Sequence, residues 1–207
     1  MNKIKMHPTN YTLDNLVAKD ISKFTQHSLK SILQDYDQHS HWLSNCILNS
    51  IFTSPIPDKD KPGFFSIVRK GEHTISEYEI SLSYLEMFLK EGRKISDYFR
   101  ALSHLEVCLS AAYQVFEYIK KLNGKLFFQS GDGSLGERLN RIYNISKHLQ
   151  KSTFIPQQLH LFWFTNTGFA SSELELKYEE IEEIMRDICT ISERTSKLRY
   201  ENEIENR

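Results

Sequence analysis

Long stretches of this chain run without a helix breaker. Only eight glycines and five prolines are spread over 207 residues, and the strongest turn signals gather in four places. These are Ser54-Pro55-Ile56-Pro57 through Lys61-Pro62-Gly63, then Gly92, Asn123-Gly124 and Gly131-Asp132-Gly133. Between them apolar residues recur three and four apart, the period of a helix with one buried face. The spacing predicts helices over 13–24, 26–51, 76–91, 96–122, 134–150 and 177–199. Ser76 with Glu79 and Ser134 with Glu137 both read as capping boxes. One segment differs: the bulky run Leu159-His160-Leu161-Phe162-Trp163-Phe164 precedes Asn166-Thr167-Gly168 and suits a small strand or an extended plug. The expected fold is an all-α helical bundle, one domain over 1–207 with a core of about 12–200. A mobile loop at 53–75 and a short extended segment near 159–165 complete it.

Composition narrows the function classes. Twenty-six Lys and Arg stand against 27 Asp and Glu, which excludes a uniformly basic nucleic-acid coat or an acidic solvating chain but leaves room for a local basic face. Thirteen Phe and ten Tyr are too many apolar rings for a disordered chain. Cys46, Cys108 and Cys189 lie far apart with no CxxC pair, as expected of reduced thiols in a core. The first ten residues hold no apolar run of signal-peptide length, and no stretch approaches the roughly 20 apolar residues of a membrane helix. The expectation is a soluble, cytoplasmic protein with no membrane contact.

The most informative segment is 134–150. At about 100° per residue, Leu135, Leu139, Ile142 and Leu149 share the side that must meet a core. Glu137, Arg141, Asn144 and His148 form a second stripe at spacings of 4, 3 and 4, close enough for neighbours to touch. A guanidinium can hold phosphate oxygens, and an imidazole can exchange a proton near neutral pH. An amide can orient either one. Arg138, Arg141, Lys147 and Lys151 against Glu137 alone make the segment locally basic, which favours a phosphate backbone. Such a set could cleave RNA without metal or other cofactor, the ribose 2′-hydroxyl attacking the adjacent phosphate. A plain solvated helix face accounts for the same residues, with Arg141 paired to Glu137 for only about 0.2–0.5 kcal/mol.

Arg141 followed by His148 in a late helix resembles the R-x4–6-H motif of the HEPN superfamily. The preceding helix, with Leu102-Ser-His-Leu-Glu106 and Ala111-Ala-Tyr-Gln114, is similar to the helix before that motif. The resemblance spans about 96–150. It implies an α-helical, dimeric, metal-independent endoribonuclease of toxin–antitoxin or phage-defence type, with RNA as substrate and an antitoxin protein as partner. Arg141 would bind phosphate and His148 would act as acid and base, with Asn144, Glu137, Lys147 and Arg138 in support. Many active members carry a polar residue directly after the motif arginine, where this chain has Ile142. An alternative alignment sets Tyr143-Asn144 on that arginine and its neighbour. It implies a non-catalytic helical module that binds a partner protein or a nucleotide.

Other constellations carry less. His39 and His41 are two apart and diverge on a helix. His104 and Cys108 are four apart on a core-rich helix, which suits packing better than half a zinc site. Gly131-Asp132-Gly133-Ser134 lacks the Lys-Ser/Thr of a P-loop and reads as a turn with an N-cap. The rings of Phe162-Trp163-Phe164 are expected to pack over the bundle more than to stack on bases.

Overall fold

The computed structural model describes residues 13–36, 40–52, 56–147 and 160–197. It is mostly helical, with one small antiparallel sheet. A π-helical turn at Leu13–Val17 is followed by the short helix α1 (Trp42–Asn45), which runs into a π-helical stretch at Cys46–Ile51. Then come α2 (Lys61–Lys90), α3 (Ile95–Asn123) and α4 (Leu135–Lys147). The strands β1 (Phe162–Phe164), β2 (Gly168–Ser171) and β3 (Glu175–Lys177) precede α5 (Tyr178–Ser196).

The α2–α3 hairpin is the frame. Its two helices run antiparallel: Gly63 faces Leu122 at one end, and Ser81 Oγ donates to Ala101 O at 2.8 Å nearer the other. The turn between them uses left-handed backbone at Gly92 (φ 83°) and, less easily, at Arg93 (φ 57°). Arg93 is held there by its guanidinium, which donates to Phe24 O at 2.8 Å and Ile21 O at 2.6 Å. α3 ends at Gly124, also left-handed. α5 lies against α2 where Gly71 leaves space: a Cβ there would sit 1.8 Å from Ser192 Oγ.

Several expectations for the first half of the chain fail. α2 begins at Lys61, so most of the stretch read as loop 53–75 is helix, with residues 53–55 outside the described part. Pro62 reads as a breaker in sequence, yet it stands in the first turn of α2, where its missing N–H has no helical partner to lose. Ser76 and Glu79 are therefore mid-helix, with no capping role.

Conversely, the described part of the predicted helix over 26–51 is helical only from Ser40, where a 3-10 turn at Ser40 and His41 leads into α1. Leu29 and Ile32 are buried as their periodicity requires, but the backbone around them is neither helix nor strand and bonds to side chains of other elements. Lys30 N donates to Glu182 Oε1 at 3.0 Å and Ile32 N to Glu79 Oε1 at 2.9 Å. Tyr78 OH donates to Lys30 O at 2.8 Å. Thr25 N and Gln26 N share Asn166 Oδ1. The predicted first helix is likewise reduced to the π-helical turn and further turns.

The extended segment at 159–165 contains β1, the first strand of a β1-β2-β3 sheet in which Phe164 pairs with Phe169 and Phe169 with Leu176. Every residue of β1 and β2 is buried, which removes the alternation that would mark a one-sided strand. Phe24 stacks between Phe88 and Phe164 with centroids 6.1 and 5.6 Å away, and Tyr98 meets Phe24 and Phe164 edge-on. Tyr98 OH also accepts the Phe164 amide at 3.0 Å. The rings thus join the N-terminal segment, the hairpin and the sheet into one core.

Among the described residues, no helix is long and apolar enough to cross a membrane. All three cysteines are buried thiols outside any disulfide.

Candidate functional site

α4 starts where its cap residue stands. Ser134 Oγ accepts the Glu137 amide at 3.2 Å, and Asp132 accepts the Ser134 and Gln129 amides at 2.8 and 2.7 Å. Leu139, Ile142 and Ile145 are buried against the frame. Leu139 and Ile142 lie on the face expected from spacing, where Leu135 is half-buried against the same core; Ile145 joins them, and Leu149 lies outside the described residues.

The second stripe divides. Glu137 is 5 % exposed, and its carboxylate serves the preceding turn instead of a substrate. Gly131 N donates to Oε1 and Gly133 N to Oε2, each at 2.7 Å. Both glycines have positive φ, 83° and 66°, and with that backbone their amides converge on one acceptor. These two hydrogen bonds, with the nearby Arg141 charge, hold Glu137 below the usual carboxylate range. The other half of a capping box, a return bond to the Ser134 amide, is taken by Asp132.

Arg138 faces α5. Its guanidinium forks onto both oxygens of Glu180 and reaches Glu175 O at 3.3 Å. Glu180 also accepts the Lys177 amide at 2.9 Å, which caps α5. Burial pushes the Glu180 carboxyl up, but the Arg138 and Lys177 contacts outweigh it and leave it below its ordinary value. This pair fastens the start of α4 to the start of α5.

Further along, α4 is open. Arg141 is half exposed, and its Nη2 lies 3.4 Å from Glu137 Oε1. Asn144 is exposed and donates to Asn140 Oδ1 at 3.1 Å. Lys147 is exposed with its ammonium 5.6 Å from the Tyr143 ring centre. His148, the predicted acid and base, lies outside the described residues, as does Lys151. The structure therefore brings Glu137, Arg141 and Asn144 onto one stripe but gives Glu137 and Arg138 structural duties.

Beside the stripe lies a polar groove of about 440 Å³ between the C-terminal half of α3 and α4. Tyr113, Gln114, Glu117, Tyr118 and Lys121 line one wall, and Tyr143 and Lys147 the other. Tyr113 and Tyr143 stack with centroids 4.7 Å apart. Tyr113 OH donates to Glu117 Oε1 at 2.9 Å, and burial, then the Glu117 carboxylate, push its phenol pKa up. The sequence reading missed this groove. Its signal was there: Gln114, Glu117, Tyr118 and Lys121 recur at helical spacing, as do Tyr143 and Lys147, with Tyr118 and Tyr143 at the edge of the core.

The histidines weighed as metal ligands are placed otherwise. His104 Nδ1 lies 2.6 Å from Glu77 Oε2, while Cys108 is buried against Met185 Sδ. His41 is exposed, and His39 lies outside the described residues. Among the described residues no group of three His, Cys, Asp or Glu could hold a metal ion. No family model, curated protein or solved structure matches the chain.

Proposed function

We propose that the chain acts on RNA through the outer stripe of α4, as a dimeric, metal-independent endoribonuclease of HEPN type. The observation that carries the reading is the contrast along α4: Arg138 is consumed by a two-pronged pair, whereas Arg141 stays half exposed beside Asn144 with one long carboxylate contact. In this mechanism Arg141 holds the scissile phosphate and offsets charge as it develops. His148 takes the proton of the ribose 2′-hydroxyl as that oxygen attacks phosphorus, and the P–O5′ bond breaks. A protonated imidazole, that of the second copy in the dimer, supplies the proton to the leaving 5′ oxygen. The products are a 2′,3′-cyclic phosphate and a 5′-hydroxyl.

The test is cleavage of a panel of end-labelled single-stranded RNAs by purified protein in chelator. Arg141→Ala and His148→Ala should each lower the rate at least about 100-fold, the scale of losing an acid–base or oxyanion-stabilising group. The far-UV spectrum and Tm should not change. Sedimentation should give a dimer at micromolar concentration.

A second reading, a non-catalytic helical module, draws on a different observation. Tyr143, and not Arg141, lines the groove beside α3, as the alternative alignment through Tyr143-Asn144 would suit. Intact RNA after incubation with wild-type protein, combined with measurable binding of RNA, nucleotide or a partner protein, selects this reading.

A further inference from the structure

We infer that the α3–α4 groove is the seat of one unpaired nucleotide of the strand whose scissile phosphate meets Arg141, its base on a tyrosine face and its own phosphate between Lys121 and Lys147. The inference rests on the proposed action on RNA, though not on its cleavage. Each wall of the groove carries the same device. On α3 the Lys121 ammonium lies 5.6 Å from the Tyr118 ring centre; on α4 the Lys147 ammonium lies 5.6 Å from that of Tyr143. An ammonium over a ring is weakly held at an exposed site, so a phosphate can draw it away and a base can take its place on the ring.

The remaining charge fits this use. Among the described residues Glu117 is the one carboxylate lining the groove, and it already accepts from Tyr113 OH and lies 4.0 Å from Lys120 Nζ. Tyr143 has Tyr113 stacked against it, which holds the ring in place before a base arrives. Stacking tolerates any base, so the groove would select for an unpaired strand more than for a sequence. Arg141 and Tyr143 are two residues apart on α4 and point to different sides of it. A strand crossing the helix could reach both.

The probe is a fluorescein-labelled single-stranded 12-nucleotide RNA, with binding followed by anisotropy in chelator from low to moderate salt. Lys121→Gln and Lys147→Gln should each weaken binding several-fold and reduce the slope of log K against log salt by about 0.7, the loss of one contact to a single strand. Tyr143→Phe should bind like wild type, and Tyr143→Leu at least about fivefold more weakly. Duplex RNA of the same sequence should bind less tightly because its bases are not free to stack.

Unchanged salt slopes in both lysine variants overturn the seat, and so does equal affinity for duplex and single strand. The cleavage reading fails separately: if wild type leaves RNA intact while the lysine variants lose slope, the groove stands and the nuclease does not. If Arg141→Ala abolishes cleavage while the groove variants bind as wild type, the reverse holds.

Discussion

The two ends of α4 are built from similar residues and do different work. At its start Glu137 and Arg138 are drawn inward, one closing a glycine turn and the other bolting α4 to α5. From one turn on, Arg141, Asn144 and Lys147 meet solvent, and Tyr143 and Lys147 form a wall of a groove. A charged side chain on a helix is thus not a site by virtue of its type. What matters is whether unpaired backbone amides or an opposite charge on another element claim it first.

Breaking the inward end should have the largest effect on stability. Glu137→Ala leaves the Gly131 and Gly133 amides without their acceptor and should lower Tm by several degrees, with Glu137→Gln intermediate because its single carbonyl can accept only part of the pair. The pH dependence has a definite sign. The folded pKa of Glu137 lies below the ordinary glutamate value of 4.5, so the carboxylate contributes its full stabilisation above that value and loses it as pH falls through the folded pKa. Thermal melts of wild type and Glu137→Gln from pH 7 to pH 3 should therefore converge at the acid end. A gap that widens on acidification would contradict the assignment.

Next in size is the bolt between helices. A double-mutant cycle of Arg138→Ala and Glu180→Ala, read by urea unfolding, should give a coupling energy of about 0.5–3 kcal/mol. Its value belongs in the upper part of that range, because the fork is bidentate and only about a quarter exposed (29 % and 22 %). Coupling near zero would make Arg138 as free as Arg141 and return it to the candidate site.

The smallest stability effect belongs to the open end. Arg141→Ala should change unfolding free energy by less than about 0.5 kcal/mol, since its contact with Glu137 is an exposed i, i+4 pair. A stability loss comparable to that of Arg138→Ala would mean that Arg141 also serves the fold, and it would weaken the case for a phosphate there.

Much of the later chain is legible locally. The helix read over 96–122 is found at Ile95–Asn123, and its stop at Gly124 follows from left-handed backbone. Ser134 marks the start of α4 because its hydroxyl takes an amide that the helix cannot satisfy. The rings of Phe162, Trp163 and Phe164 are buried, as large apolar area predicts. Less of the candidate site was legible. Spacing placed Arg141 and Asn144 on one stripe, but it put Glu137 there as well, and charge alone counted Arg138 into the same basic patch. It also overlooked the α3 wall, since Lys121 and Tyr143 are 22 residues apart in the chain.

By itself the sequence determined which residues leave water, where helices with good caps begin and end, and that the chain would be largely helical. Only the tertiary structure decided that residues 24–32 form no helix, that Glu137 faces a turn, and that α3 and α4 enclose a groove. Periodicity reports how strongly side chains favour burial, and that tendency is carried by each residue. Which partner satisfies a backbone amide or a carboxylate depends on groups that come together only when distant segments pack, as Asn166 does with Thr25 and Glu180 with Arg138.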